Sequence, residues 1–376
     1  MKSDERQSVL SLLERLIAVD SRSGVSSLPI FDLAAEQLAG WELEFIDYAD
    51  AAKTPKRNLV ARYGGSRSTV AFAGHLDTVP DTGWTREPFK ASIEGPLLYG
   101  LGASDMKGPI ASFVVAANSL PKESRPMLVL TSDEEAGKQG VREVVARSRI
   151  LRETTPSCFV VAEPTALGVL RGHRVDVAFT VHSRGIQAHS STGRGRNANI
   201  ALIPFLADMR MLHLLLREDR ALHDPQYDPP YADLNFVIDN YGAFPNTTVG
   251  LATCRIKFRY SKSFDPQFVI EKVRESAARH ELDLEIRPEA PPPELPPDHA
   301  LVRRAESILG AKATVAGLGT EASEYTKLAP CLVFGPGDIH HAHKPTEYID
   351  LQQLAESTAL YRRLAVELQG AFHAES

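Results

Sequence analysis

The sequence has little of three things that would place it in other classes of protein. It contains 3 cysteines in 376 residues, and their spacing matches neither a disulfide framework nor a cysteine-based zinc site. The formal net charge is −6 and no basic block occurs, which argues against binding a nucleic-acid backbone. No apolar run approaches the roughly 18 residues that a membrane span needs. We therefore expect a cytoplasmic protein with no membrane and no nucleic-acid partner.

The phosphate-binding loops of nucleotide enzymes are also missing. Neither G-x-G-x-x-G nor G-x-x-x-x-G-K-[ST] occurs in the sequence, so a nucleotide-binding enzyme is a weak alternative. The length of the chain indicates how many domains to expect. With roughly 150 residues to a domain, its 376 residues predict two domains.

The first part of the chain alternates short apolar runs with helical patterns. The runs predict strands at 58–63, 69–74, 127–131 and 158–162. Helical patterns lie between some of them, notably at 108–120 and 140–150. This alternation predicts an α/β fold with a mostly parallel central sheet.

The pattern changes near Leu170. The elements that follow are a strand, a helix, two strands, a helix and a strand, at 175–183, 198–216, 234–239, 251–260, 266–280 and 282–286. This β-α-β-β-α-β order is typical of a ferredoxin-like unit. A proline-rich stretch follows, and then the α/β pattern returns with a strand at 331–334 and a helix at 351–368. We predict a catalytic domain in two parts, 1–170 and 290–376, interrupted by an α+β domain at 171–289.

Four predicted strands are each followed by side chains that can bind metals. These side chains are, in chain order, His75 and Asp77; Asp133, Glu134 and Glu135; Glu163; and His340, His341 and His343. Asp105 precedes a predicted helix, a position where a lone Asp is otherwise an N-cap. Because ligands of open parallel sheets bind beyond the carboxyl ends of the strands, we expect these groups to converge.

Each cluster alone has a simpler explanation, as a structural histidine or a solvated acidic loop. Together they need a cation, because carboxylates gathered at one sheet edge repel one another. Histidine and carboxylate ligands without cysteine favour catalytic zinc, with Co²⁺ or Mn²⁺ as possible substitutes. Two imidazoles and three carboxylates can supply two metals if one carboxylate bridges. Spare acids could then serve as a base and as a partner that orients an imidazole.

Five segments carry a more specific signal. They are GHLDTVP at 74–80, GASDMKG at 102–108, DEEAG at 133–137, AEPT at 162–165, and GPG…AHKPTEY at 335–348. In this order they resemble the co-catalytic zinc amidohydrolases, the family of acetylornithine deacetylase, succinyl-diaminopimelate desuccinylase and carboxypeptidase G. The resemblance covers nearly the whole chain and implies the same interrupted architecture, with the inserted domain as a dimerisation or lid domain.

The resemblance also implies a role for each residue of the site. It makes His75 and Glu163 ligands of one Zn²⁺, Glu135 and His343 ligands of a second, and Asp105 the bridge between them. It makes Glu134 the general base and Asp77 the partner that orients His75. In the inserted domain it implies a homodimer in which His189 reaches the partner subunit's site to stabilise an oxyanion. The substrate-binding residues that it implies are Arg259, Asn246, Thr320 and Glu321.

Several departures from the family pattern lie around the substrate, among them a segment at 183–185 that is more basic than usual. Leu101 stands where many relatives have Arg, and the segment 246–249 lacks the usual proline. The expected activity is removal of an N-acyl group from an amino acid, foremost from N-acetylornithine in arginine biosynthesis. N-acetylcitrulline deacetylase, N-succinyl-diaminopimelate desuccinylase and dipeptidase are alternatives. A binding protein that has lost catalysis is an alternative of another class, and the complete ligand set argues against it.

Overall fold

The structure, a computed structural model, describes residues 3–66 and 68–369. Its strands in chain order are β1 (Trp41–Ala49), β2 (Pro55–Tyr63), β3 (Val70–His75), β4 (Ser92–Glu94), β5 (Leu97–Tyr99), β6 (Met127–Thr131), β7 (Cys158–Val161), β8 (Val169–His173), β9 (Val175–Arg184), β10 (Asp233–Asp239), β11 (Leu251–Tyr260), β12 (Asp283–Pro288), β13 (Thr314–Ala316), β14 (Cys331–Phe334) and β15 (Tyr348–Asp350). Its α-helices are α1 (Ser3–Ile17), α2 (Leu28–Glu36), α3 (Gly108–Ser119), α4 (Gln139–Arg147), α5 (Arg149–Glu153), α6 (Asn199–Glu218), α7 (Gln267–Arg279), α8 (Ala300–Leu309), α9 (Ala322–Tyr325) and α10 (Leu351–Glu367).

The described chain divides into two compact units. The first contains the described residues up to Gly172, then Pro293–Thr314, and those from Thr320 onward. The second contains His173–Pro292 and Val315–Gly319. We expected 315–319 in the second part of the catalytic domain. It groups with the second unit because the backbone N–H of Arg174 donates to the carbonyl of Ala316 at 3.1 Å.

The larger sheet has a parallel centre, which lies in the first unit. In the described part of the chain its strand order is β1-β2-β6-β3-β7-β14-β8-β13. Strands β6, β3, β7 and β14 run parallel, whereas β1, β2 and β8 join the sheet by antiparallel pairing. Every residue of these four parallel strands is buried, as in sheets covered on both faces. The predicted α/β class with a mostly parallel centre is confirmed, and the four carboxyl ends meet at one edge.

Alternate residues of the parallel strands pack on a helical layer. Phe72 of β3 and Phe334 of β14 contact Tyr361 of α10 edge-on, with ring centroids 5.1 and 5.3 Å apart. Phe113 of α3 joins them at 5.9 Å from both Phe72 and Tyr361. Helices α1 and α8 add buried residues to the same core. This packing holds the parallel strands in place, and with them the residues at their carboxyl ends.

The second unit is built on an antiparallel sheet of order β10-β11-β9-β12, with α6 and α7. Its strands alternate buried and less buried residues, as expected for a sheet covered on one face. Phe179, Phe205 and Phe258 are fully buried in its core. The predicted β-α-β-β-α-β order is confirmed.

Helix α6 differs in one respect from the expectation for apolar runs. It is long and apolar enough to cross a membrane, with a mean hydropathy of 1.4 over an 18-residue window. Asp208 and Arg210 interrupt it, and its inner face is buried in the core of the second unit through Leu202, Phe205, Met209, Leu212 and Leu216. The helix therefore packs one face into the core of the second unit and exposes a second apolar face.

Some elements were missed or wrongly joined by the sequence prediction. The predicted helix at 140–150 is two helices, because Ser148 has extended backbone and caps α5 by accepting from the N–H of Leu151. Strand β1 escaped notice because acidic residues alternate along it. The small three-stranded sheet β15-β5-β4 joins segments too short for a period to show.

Candidate metal centre

The structure brings the five predicted ligands together at the carboxyl edge of the parallel strands. Ligand atoms of His75, Asp105 and Glu163 all lie within 4.8 Å of one another, and the three side chains are buried. Asp105, Glu135 and His343 form a second such group that is more open to solvent. Asp105 belongs to both groups, as a bridging carboxylate would.

The base predicted from the sequence lies beside these ligands. His75, Glu134 and Glu135 form a third group of potential ligand atoms within 4.8 Å of one another. The N–H of Glu134 donates to Oδ1 of Asp77 at 3.1 Å. The N–H of Glu135 donates to Oδ2 of Asp77 at 3.2 Å. Asp77 therefore fixes the backbone that carries both glutamates as well as lying next to His75.

His75 and Asp105 are brought close by a glycine and an irregular turn. His75 is the last residue of β3, and a Cβ on Gly74 would lie 2.5 Å from Cε of Met106. Gly74 therefore leaves room for the Met106 side chain to pack against the end of β3. The peptide between Asp105 and Met106 is cis.

Glu347 holds the turn that carries Asp105, and sequence reasoning assigned it no role. Its buried carboxylate accepts the backbone N–H groups of Gly102, Ser104 and Asp105 at 3.0, 2.8 and 3.0 Å. A carboxylate satisfied by three backbone donors is a strong anchor. Glu347 lies inside the motif at 335–348, but the sequence does not show that its carboxylate binds the backbone of the turn.

The imidazole geometry fits a cation. Nδ1 of His75 lies 3.0 Å from the carbonyl oxygen of Asp77, so an N–H there donates to that carbonyl. Nε2 then presents a lone pair 3.2 Å from Oδ1 of Asp105, a buried oxygen that accepts no hydrogen bond from any described residue. Facing lone pairs repel unless a proton or a metal lies between them. The orphaned oxygen and the mixed donor set therefore fit a divalent metal.

The second group shows the same crowding. Nε2 of His343 lies 2.7 Å from Oε1 of Glu135 and 3.3 Å from Oδ2 of Asp105. Hydrogen bonds to these two carboxylates raise the pKa of His343 to about 10. Burial lowers the pKa of His75, but the facing carboxylates of Asp105 and Asp77 raise it well above its ordinary value. In the protein alone, protons therefore occupy positions that a cation would take.

The pKa values of the neighbouring glutamates are raised as well, but for them burial is the main cause. Burial, and then the charge of Asp105, raise the pKa of Glu163 well above its ordinary value. Burial raises the pKa of Glu134 to about 8. A carboxylate with a pKa near neutral is suited to take up and return a proton at physiological pH.

The remaining predicted residues lie in two places. His189, Asn246 and Arg259 belong to the second unit and are exposed there. The N–H of Ser190, next to His189, donates to the carbonyl of Asn246 at 2.9 Å, so these two loops are joined.

Thr320 and Glu321 belong to the first unit and are fully buried. Oε1 of Glu321 accepts from the hydroxyl of Thr131 at 2.6 Å. Its other oxygen, Oε2, is buried without a hydrogen-bond partner among the described residues. Thr131 ends β6, so Glu321 lies at the same sheet edge as the ligands.

A parallel sheet that carries two groups of metal ligands sharing one aspartate defines the class of hydrolases that act with two metal ions. The profile of peptidase family M20/M25/M40 matches residues 71–367, and the chain belongs to this family. The family resemblance inferred from the motifs is thereby confirmed.

Curated relatives extend over most of the chain. The chain is 32% identical over 350 residues to acetylornithine deacetylase of Pectobacterium carotovorum subsp. carotovorum (strain PC1), covering 89% of each sequence. It is 30% identical over 382 residues to acetylornithine deacetylase of Yersinia pseudotuberculosis serotype O:1b (strain IP 31758), covering 94% of this chain and 96% of the relative.

Solved structures share the fold. The M20 family metallo-carboxypeptidase Sso-CP2 from Sulfolobus solfataricus superimposes with a TM-score of 0.75 at 16% identity, covering 98% of this chain and 100% of that one. The YXEP protein of Bacillus subtilis, a dinuclear metal binding peptidase from the M20 family, gives 0.65 at 14% identity, covering 99% and 100%. At these identities the likeness establishes the fold alone.

Proposed function

We propose that the protein is a metal-dependent amidohydrolase that removes the acetyl group from N-acetylornithine. The observation that carries the proposal is the pair of ligand groups that share Asp105, with the base candidate Glu134 beside them. The choice of substrate is supported by the names of the curated relatives. The reaction would belong to arginine biosynthesis in the cytoplasm.

We further propose two Zn²⁺ ions per chain, with Co²⁺ or Mn²⁺ as substitutes. One ion would be held by His75 and Glu163, the other by Glu135 and His343, and Asp105 would bridge them. When bound, such ions would polarise the acyl carbonyl and lower the pKa of a water molecule. This donor set without cysteine suits catalytic zinc.

The side chains around the metals would handle protons and orientation. Glu134 would accept a proton from the attacking water and pass it to the leaving amine. Asp77 would keep the ring of His75 in its ligating orientation. His189 would donate to the oxyanion. Arg259 would bind the substrate carboxylate, and Asn246, Thr320 and Glu321 would contact the rest of the small substrate.

We propose a homodimer formed through the second unit. The outer face of α6 exposes apolar side chains, of which Ile200, Ile203 and Met211 are 69%, 60% and 61% exposed. The edge strand β10 exposes Val237 and Ile238 as well. An apolar patch beside a free sheet edge is a typical surface for pairing with a second copy. Pairing there would leave the exposed His189 loop free to serve the partner subunit.

An amine-release assay on a panel of substrates tests the substrate. The panel contains N-acetylornithine, N-acetylcitrulline, N-succinyl-diaminopimelate and dipeptides, each with metal-loaded protein. We expect the highest kcat/KM on N-acetylornithine. Comparable rates on every member of the panel would contradict a biosynthetic deacetylase. A higher rate on N-acetylcitrulline would move the assignment to that alternative.

A further inference from the structure

We propose that Lys56 and Tyr48 are positioning residues, which hold Asp133 and thereby the turn that carries Glu134 and Glu135. The inference rests on the proposed function for its catalytic consequence, but its geometry stands on contacts within the first unit. Neither residue belongs to a motif that pointed to the site. Both come from the antiparallel side of the sheet.

The carboxylate of Asp133 contacts two side chains that form a cross-strand pair. Tyr48 of β1 and Lys56 of β2 lie directly opposite each other in the antiparallel ladder. Nζ of Lys56 lies 2.7 Å from Oδ1 of Asp133, and the hydroxyl of Tyr48 donates to Oδ2 at 2.8 Å. The side chains of Lys56 and Asp133 are 1% and 3% exposed. A buried ammonium is costly unless it is paired, so this contact is a built feature of the site.

The backbone at Asp133 needs such a hold. Its φ is +59°, in the left-handed region that few residues other than glycine adopt. The N–H of Lys138 donates to the carbonyl of Asp133 at 2.7 Å, and the N–H of Gly137 donates to that of Glu134 at 3.1 Å. The turn that presents the two glutamates is therefore closed on itself and starts from a strained residue. Strain of this kind persists where surrounding contacts fix it.

Lys56 also reaches the opposite side of the turn. Its ammonium donates to the carbonyl of Ser23. The hydroxyl of Ser23 donates to Oδ2 of Asp77 at 2.9 Å. Asp77 accepts the N–H groups of Glu134 and Glu135. One buried ammonium thus connects the residue before the two glutamates with the segment that holds their backbone N–H groups.

Loss of this connection should misplace Glu134 and Glu135 without removing either of them. Residues that orient metal ligands from behind typically change metal affinity or activity about 10- to 100-fold when they are replaced. An effect confined to overall stability would indicate a structural role only.

The test compares Lys56→Met and Tyr48→Phe with matched controls. Lys312→Met removes an exposed ammonium, and Tyr63→Phe removes a hydroxyl from β2 of the same sheet. Three quantities are measured for each metal-loaded protein: the Co²⁺ dissociation constant, the Co²⁺ absorption spectrum, and kcat and KM on N-acetylornithine. For both test variants we expect a kcat about 10- to 100-fold lower with KM nearly unchanged, a weaker Co²⁺ affinity and an altered spectrum. The controls should match the wild type.

Rescue separates charge from packing. Lys56→Arg keeps a cation that can pair with Asp133, so it should recover part of the loss seen in Lys56→Met. If Lys56→Met does not fold, Tyr48→Phe decides, since it removes one hydroxyl from a partly buried ring. Test variants with a lower unfolding temperature but wild-type kcat, Co²⁺ affinity and spectrum would overturn the proposal. Wild-type protein that binds Co²⁺ but releases no amine would refute the proposed function, while the Co²⁺ measurements would still test the positioning.

Discussion

At the level of single residues, burial and the crowding of carboxylates set the pKa values of the side chains at this site. Glu163 and Glu134 hold their protons more tightly than free glutamates because burial disfavours their charge. The imidazoles of His75 and His343 hold theirs because carboxylates face them. Protons and metal ions therefore compete for the ligand atoms of this site, and this competition has measurable consequences.

Replacing the base should separate catalysis from metal binding. Glu134→Gln keeps the size of the side chain but cannot accept a proton, so kcat should fall by about 10²- to 10⁴-fold. Metal content, measured by elemental analysis, should stay at the wild-type value. Glu123→Gln, an exposed change in the same unit, serves as the control. Near-normal turnover in Glu134→Gln would remove Glu134 as the base.

Metal binding should release protons. At pH 7 the metal-free protein carries a proton on His343, whose pKa is raised to about 10, while a metal needs the neutral imidazole. The apparent affinity should therefore rise as the pH rises toward that pKa and fall in acid. Calorimetric titration with Zn²⁺ in buffers of different ionisation enthalpy measures the protons released. A binding heat that does not depend on the buffer would contradict this competition.

The residue level also shows what a sequence can and cannot predict. The five proposed ligands and the proposed base Glu134 could be selected from the sequence because strand ends and motifs mark them. Lys56, Tyr48 and Glu347 were not, because they act through contacts over long sequence separations that no local pattern records. Lys56 also lies outside the strand predicted at 58–63, and its burial is visible only in the structure.

The strands position the residues of the site because their carboxyl ends lie at one edge of the sheet. The parallel strands β3, β6, β7 and β14 end at one edge, so residues far apart in sequence meet there. Apolar runs made these strands predictable. The antiparallel strand β1 was not, since its acidic residues break the run, and yet it supplies Tyr48. Helix α6 was predicted as a helix, and the structure separates its buried inner face from its apolar outer face.

A charge on the outer face of α6 tests its role in dimerisation. Ile203 is 60% exposed, so Ile203→Glu should leave the fold of the unit intact. We expect light scattering to show a monomer in place of a dimer, with most activity lost because His189 is proposed to act in the partner subunit. Lys272→Glu on the exposed side of α7 is the control. A wild-type protein that is fully active as a monomer would contradict both claims.

At the scale of the whole molecule, the interrupted order of elements was predictable because the hydrophobic period changes near residue 170 and changes back after the prolines. The two compact units follow that order, except that 315–319 groups with the second unit through a backbone contact that sequence cannot show. The mixed sheet was predicted as mostly parallel, because antiparallel flanking strands have no distinct sequence signal. The roles of the two units, as a catalytic domain and a dimerisation domain, stay a proposal.

Metal should also stabilise the molecule. Ligand that binds only the folded protein adds about 2.7 kcal/mol at a free concentration 100 times its dissociation constant. Chelation should therefore lower the unfolding temperature, and added Zn²⁺ or Co²⁺ should restore it. Differential scanning calorimetry measures both changes. An unfolding temperature that is insensitive to chelator and to added metal would argue against a metal bound by buried ligands.

The central claim is that two metals on the shared Asp105 make this chain a deacetylase. The most direct measurement is N-acetylornithine hydrolysis by metal-free protein as Zn²⁺ or Co²⁺ is added in known ratios. We expect no amine release without metal, and a rate that rises to a plateau near two equivalents per chain. Full activity in the metal-free protein, or no amine release at any metal ratio, would contradict it.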